Sequence, residues 1–186
     1  MRAVTMKRTT KETDIDLTLD LSGGEVKVAS GIGFFDHMLT ALAVHAGWGL
    51  TVTCNGDLEV DGHHSVEDIG IVLGQAFAGA VDKTAITRYG TAFIPMDEAL
   101  ARGVVDVSGR PYLVFQAELS APMVGDFDTQ LTEEFFRAFA MNAGITLHLA
   151  LLYGSNCHHQ IEGLFKAAAH ALAEALAPRS GGVSCA

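Results

Sequence analysis

The sequence predicts an internally duplicated α/β (α+β) fold, and three observations predict it. His63-His64-Ser65-Val66-Glu67 is echoed 95 residues later by His158-His159-Gln160-Ile161-Glu162. Each copy opens a long apolar run, rich in Gly or Ala, with helical spacing. The same order of strands and helices leads up to both, with Gly47 and Gly144 at matching helix ends. The halves run over 1–89 and 90–178, and a tail follows over 179–186.

Residues 2–29 read as strands, because Ile15, Leu17, Leu19 and Leu21 alternate with Asp16, Thr18 and Asp20. Ser22-Gly23-Gly24 is a turn, residues 25–29 continue the sheet, and Gly31-Ile32-Gly33 breaks it. A helix is predicted over 34–46, with Phe34, Met38, Ala41 and Leu42 on one side and Gly47 as its stop. Residues 50–53 form a strand, Asn55-Gly56-Asp57 a turn, and 58–60 a short strand. The first His motif opens a helix over about 65–81, striped by Ile69, Val72, Leu73, Ala76, Phe77 and Ala80. In the second half, strands are predicted over 92–94, 99–107 and 112–119, then a helix over 129–143 capped by Gly144. A strand over 145–152 follows, and the second His motif opens a helix ending near Ala177, before Pro178.

Hydrophobic residues make up 49% of the 186, ample for a core in one large or two small domains. A net charge of −10 argues against nucleic acid or an anionic membrane surface as partner. No apolar run reaches the length of a transmembrane helix, and the first residues lack a signal-peptide core. Cys54, Cys157 and Cys185 form no CxxC pair, which fits a reduced, cytoplasmic setting. Cys157, beside His158, reads as a small buried residue, since metals held by imidazole and carboxylate rarely recruit one thiolate.

A double His with a Glu three residues on, at the mouth of a helix, is a metal-ligand arrangement. His63 and Glu67 share a helix face, and His64 points about 100° away, free to serve another metal. With Gly47 laid on Gly144, His37 falls on Glu134. Each half therefore carries four candidate ligands: His37, His63, His64 and Glu67, then Glu134, His158, His159 and Glu162. A single motif of this kind arises by chance; two at matching places are hard to explain by packing. His148 reads as an ordinary residue on the outer face of its strand, and His170 as a helix residue without special role. His45 either suits the end of its helix dipole or faces a ligand. Asp61, Asp68, Asp97 and Glu98 are catalytic or merely solvated, and Asp68 is as well placed to orient a His as to bind metal. Arg88 and Arg110 suit either a phosphate or surface ion pairs.

Taken together these stretches resemble the imidazoleglycerol-phosphate dehydratase family, from about Arg8 to Ala177. The matching pieces are Arg8-x-Thr10-x-Glu12-Thr13, the run from Gly31 to Leu39, and Gly56-Asp57-Leu58 leading to His63-His64-x-x-Glu67-Asp68. Further pieces are Pro95-Met96-Asp97-Glu98-Ala99, Asp106-x-Ser108-Gly109-Arg110-Pro111, and His158-His159-x-x-Glu162 with Phe165-Lys166-Ala167. The resemblance implies a duplicated fold like ribosomal protein S5 domain 2, each half a four-stranded sheet with helices on one face. It implies a 24-subunit shell with metals at subunit contacts, and two Mn²⁺ ions per subunit. One would take His37, His64, His158 and Glu162, the other His63, Glu67, Glu134 and His159. The family often has His where Glu134 stands, and usually a Ser-rich, Lys-containing tail that grips phosphate; residues 179–186 contain no Lys.

The implied reaction is loss of water from imidazole glycerol phosphate, giving imidazole acetol phosphate in histidine biosynthesis. The proton removed is not beside a carbonyl, so the metals must act on the imidazole ring. Glu12 is the candidate base. The implied substrate-binding set is Glu12, His45, Arg88, Arg110 and Lys166. A dinuclear metallohydrolase and a metal-binding structural shell are the rival readings, and turnover of imidazole glycerol phosphate separates them.

Overall fold

The computed structural model describes residues 3–179, so the expected strand start at Arg2 and nearly all of the tail lie outside the described residues. Each half contributes three strands, a helix, a strand and a helix, as the repeat predicts. The first half runs β1 (Ala3–Thr9), β2 (Thr13–Asp20), β3 (Val26–Ala29), α1 (Gly33–Ala46), β4 (Gly49–Gly56) and α2 (His63–Ala80). The second runs β5 (Tyr89–Met96), β6 (Ala99–Asp106), β7 (Tyr112–Gln116), then a two-stranded hairpin, β8 (Met123–Val124) and β9 (Phe127–Asp128). It closes with α3 (Leu131–Ala143), β10 (Thr146–Tyr153) and α4 (Cys157–Leu176).

The two four-stranded sheets have equivalent orders, β1-β2-β4-β3 and β5-β6-β10-β7. In each, the last pair is parallel and the others antiparallel. The alternation in β2 resolves as expected: Ile15, Leu17 and Leu19 are buried while Asp14 is exposed and Asp16, Thr18 and Asp20 are half-buried. Helix α2 packs on β1 and β2, and α4 on β5 and β6. The two helix layers then meet, α2 against α3 and α1 against α4. The order is sheet, helices, helices, sheet, with one shared core running between the halves. At the α2–α3 crossing, a Cβ on Gly74 would lie 2.7 Å from the carbonyl oxygen of Phe139, so only glycine lets the backbones approach this closely. Gly47 and Gly144 both adopt the left-handed conformation, φ 72° and 65°, and end α1 and α3 at matching points.

Three expectations need correction. Residues 58–60 are a turn, not a strand: the Val60 N–H donates to the Asp57 carbonyl at 2.8 Å. Both edges of β4 are already taken by β2 and β3, so a further strand has no partner there. The strand over 92–94 is longer, Tyr89–Met96, and the one over 112–119 stops at Gln116, where its parallel pairing with Ala150 ends. The β8–β9 hairpin was not anticipated. Its Gly125-Asp126 turn delivers Phe127 fully into the core, against Phe34 and Phe35. No helix among the described residues is long and apolar enough to cross a membrane.

Candidate metal centre and active site

The start of α4 is built to present the second His motif. The side chain of Asn156 accepts from the backbone N–H groups of His158 and His159, at 3.0 and 3.3 Å, capping the helix. His158 lies edge-on to Phe34 and its Nε2 is 3.1 Å from Glu162 Oε2, one turn on. His37, from α1, brings its Nε2 to 3.7 Å from the same oxygen. Helix α1 is set by Asp36, whose Oδ1 accepts from the Ser30 N–H and hydroxyl at 2.8 and 2.5 Å. His37, His158 and Glu162 thus offer ligand atoms within 4.8 Å of one another, from two helices and both halves. Glu162 is buried, and Lys166 Nζ sits 2.7 Å from its other oxygen. Burial pushes the Glu162 carboxyl up, but Lys166, His37 and His158 outweigh it and hold the pKa below the ordinary value.

The other predicted ligands stand in separate places within the chain. His63 Nε2 and Glu67 Oε2 are 3.6 Å apart on α2, with the His63 N–H bonded to Asp61 at 2.8 Å. His64 turns its Nδ1 to Asp57 Oδ2 at 2.9 Å, and that bond raises its pKa. His159 turns its Nδ1 to Glu98 Oε2 at 2.8 Å, which likewise raises its pKa. The effect is reciprocal: Glu98 is lowered to about 2 by His159 and by the N–H groups of Asn156 and Ser155. Glu134 lies in the first turn of α3 beside Arg137, whose Nε is 3.8 Å away.

Two more groups hold the predicted substrate-binding residues. Arg88 adopts φ 82°, unusual for a side-chain-bearing residue. Its backbone is pinned there by bonds to Ala175 and Val107. Its guanidinium makes a two-pronged contact with Asp106, 2.7 and 3.2 Å, and Arg110 approaches the same carboxylate at 3.2 Å. Burial pushes Asp106 up, but the two arginines hold its pKa below the ordinary value. Two guanidinium groups sharing one carboxylate leave a net positive charge, suited to a phosphate. At the other place, His45 Nδ1 lies 3.2 Å from His170 Nε2. Burial, and then Lys166 and His170, lower the His45 pKa. Glu12 is exposed in the turn between β1 and β2, with its carbonyl accepting from the Asp57 N–H at 3.1 Å.

Several partners were missed or only half-read from the sequence. Asp57 was part of a turn, Asp106 part of a motif, and His170 without a role; each touches a predicted site residue. Glu98 was ambiguous, and the structure sets it against His159. Cys157 is buried, as expected, with its thiol toward the Ala121 carbonyl. His148 is exposed on β10, also as expected.

The profile of the imidazoleglycerol-phosphate dehydratase family matches residues 30–172. Among curated relatives, the imidazoleglycerol-phosphate dehydratase of Exiguobacterium sp. AT1b is 60% identical over 178 residues, covering 95% of this chain and 91% of that protein. That of Symbiobacterium thermophilum is 60% identical over 180 residues, covering 95% and 86%. The crystal structure of the Staphylococcus aureus enzyme superposes with a TM-score of 0.88 at 46% identity, covering 95% of this chain and 99% of that one. The Pyrococcus furiosus structure gives 0.82 at 37% identity, covering 92% and 93%. Both the matched length and the shared duplicated architecture lead to one conclusion: the chain belongs to the imidazoleglycerol-phosphate dehydratase family, hydro-lyases acting on a small phosphorylated substrate.

Proposed function

We propose that the chain dehydrates D-erythro-imidazole glycerol phosphate to imidazole acetol phosphate, with two Mn²⁺ ions per subunit, in the cytoplasm. The observation that carries this is the convergence of His37, His158 and Glu162 within 4.8 Å, in a chain of this family. The donor set fits such an ion: two imidazoles and one buried carboxylate, with no thiolate. By position, one ion takes His37, His64, His158 and Glu162, and the other His63, Glu67, Glu134 and His159. When bound, the metal supplies Lewis-acid polarisation of the imidazole ring and a template for its orientation.

The chain's own residues do the rest. Asp57 and Glu98 engage Nδ1 of His64 and His159, which leaves Nε2 of each as the nitrogen to ligate; the His159 Nε2 lies 3.7 Å from Asp97 Oδ2. Arg88 and Arg110, held by Asp106, take the phosphate, with His45 and Lys166 completing the substrate contacts. Glu12 accepts the proton from the carbon next but one to the ring. The hydroxyl on the ring-adjacent carbon leaves, so one water is lost, and the enol that remains becomes the ketone. A general base placed this way contributes about 10²–10⁴-fold.

Within one chain, His63, His64 and Glu134 stand on α2 and α3, outside the three-residue group. This supports assembly of the full ligand sets from more than one copy, in a large homo-oligomer expected to be a 24-subunit shell. Metal binding at such contacts stabilises the assembled state by mass action. The test of the reaction is to incubate the Mn²⁺-loaded protein with imidazole glycerol phosphate and assay the keto product. Ketone formation is the expected result, and release of inorganic phosphate without ketone is the result that overturns it.

A further inference from the structure

We propose that Asp68 is a positioning residue for Glu12, fastening the turn that carries the base to the helix that carries metal ligands; this rests on the reading of Glu12 as the base. Asp68 is on α2, one residue after Glu67, and only 9% exposed. Its carboxylate is committed to the connection between β1 and β2. Oδ1 accepts from an Arg8 guanidinium N–H at 3.0 Å, and Oδ2 from the Thr13 hydroxyl at 2.5 Å. Arg8 and Thr13 bracket the turn that holds Glu12.

The hydrogen bonds continue to Glu12 itself. With its proton given to Asp68, the Thr13 hydroxyl can only accept from Thr10 Oγ1, 3.2 Å away. Thr10 Oγ1 in turn accepts from the backbone N–H of Glu12 at 3.1 Å and of Thr13 at 3.0 Å. The Glu12 carbonyl, on the other side, accepts from the N–H of Asp57, the residue that orients His64. Glu12 is thus gripped through its backbone from both directions while its carboxylate faces outward, exposed. One grip leads to Asp68 and the other to Asp57, so the base is held in register with α2. Bonds to an ionised carboxylate are about twice as strong as neutral ones, which suits this anchor to fixing a position. A displacement of about 1 Å at a reacting group can cost about 100-fold in rate.

The test is steady-state kinetics of the Mn²⁺-loaded enzyme. Thr13→Val removes the hydroxyl at nearly constant shape, and Thr10→Val breaks the chain at its half-buried far end without touching buried Asp68. Each should lower kcat about 10- to 100-fold, with KM within about threefold and metal content unchanged. Thr13→Ser, which keeps the hydroxyl, should restore kcat to within about threefold of the parent. In a Glu12→Gln background, Thr10→Val should cause no further loss, because the group being positioned is gone. Parent-like kcat in Thr10→Val and Thr13→Val, with Glu12→Gln reduced to a small residual rate, overturns the positioning role alone. Full turnover by Glu12→Gln overturns the base and the positioning role together. Loss of metal content in proportion to activity shows a purely structural part for Asp68 and overturns the proposal as well.

Discussion

Glu98 reaches across 61 positions of sequence to set its Oε2 2.8 Å from Nδ1 of His159. Asp57 does the same for His64 from only seven positions away, at 2.9 Å. The two histidines are equivalent in the duplicated fold, yet their carboxylate partners come from different elements. Asp57 follows β4, whereas Glu98 sits in the hairpin between β5 and β6 and also receives the Ser155 and Asn156 N–H groups. Both occupy Nδ1 and so leave Nε2 as the nitrogen for the proposed metal, although in His159 that Nε2 also lies 3.7 Å from Asp97 Oδ2, and a carboxylate at Nδ1 makes an imidazole a better ligand.

Removing either carboxylate should therefore weaken metal binding without unfolding the chain. Asp57→Asn and Glu98→Gln should each lower Mn²⁺ affinity about 10- to 100-fold. Calorimetric titration of the metal-free protein checks this. Unchanged affinity in both variants shows that the two contacts do no more than tether loops.

The same pair carries a pH dependence in the metal-free protein. Glu98 is depressed from 4.5 to about 2, so its ionised form stabilises the fold above about pH 4.5. That contribution is lost progressively as the pH falls from 4.5 toward 2. His159 is raised above 6.5, so its protonated form stabilises below pH 6.5, and this is lost as pH rises through the raised value. Chelator-treated Glu98→Gln should melt lower than the parent at pH 6, and the gap should close as the pH approaches 2. Thermal scans across this range give the answer; a constant gap at every pH contradicts it.

Arg88 and Arg110 share Asp106, and this arrangement predicts a division of labour. Arg88 is the more enclosed and makes two bonds to Asp106, so Arg88→Ala leaves Asp106 short of its main partner and should cost stability as well as binding. Arg110 is more exposed, so Arg110→Ala should raise KM at least about tenfold with little change in melting temperature. Kinetics and thermal melts on the two variants separate these effects. Equal KM values in Arg110→Ala and the parent would remove Arg110 from the phosphate site.

Glu134 is the least conventional member of the proposed ligand set. It falls opposite His37 in the repeat, and Mn²⁺ accepts oxygen donors well. Glu134→Ala should selectively weaken one of two ions, by about tenfold or more, whereas Glu134→His should retain both. Its place in the first turn of α3, next to Arg137, supplies the competing reading of a dipole-stabilising acid. Two ions held at undiminished affinity in Glu134→Ala decide for that reading.

Much of this fold was legible because its signals are local or periodic. Alternation in residues 15–21 and the paired stops at Gly47 and Gly144 survive in any single sequence. The repeated His motif told which helices begin where, and the structure moves those starts by only a residue or two. What was not legible depends on long-range geometry. No spacing rule links Glu98 to His159, or Asp68 to Arg8 and Thr13, since each contact joins separate elements. The apolar character of Leu58 and Val60 mimicked a strand, yet both are exposed and no free sheet edge receives them. The β8–β9 hairpin is only two residues per strand, too short for alternation to register.

The central claim is that this chain performs a metal-dependent dehydration with ligands from its two His motifs. Its most direct test is turnover of imidazole glycerol phosphate by protein stripped with a chelator, then reloaded with Mn²⁺, beside a Glu162→Gln variant treated identically. The account predicts no ketone from the stripped protein, restoration by Mn²⁺ in the parent, and at least about a 100-fold deficit in the variant. Full turnover by stripped protein with no detectable metal would contradict it.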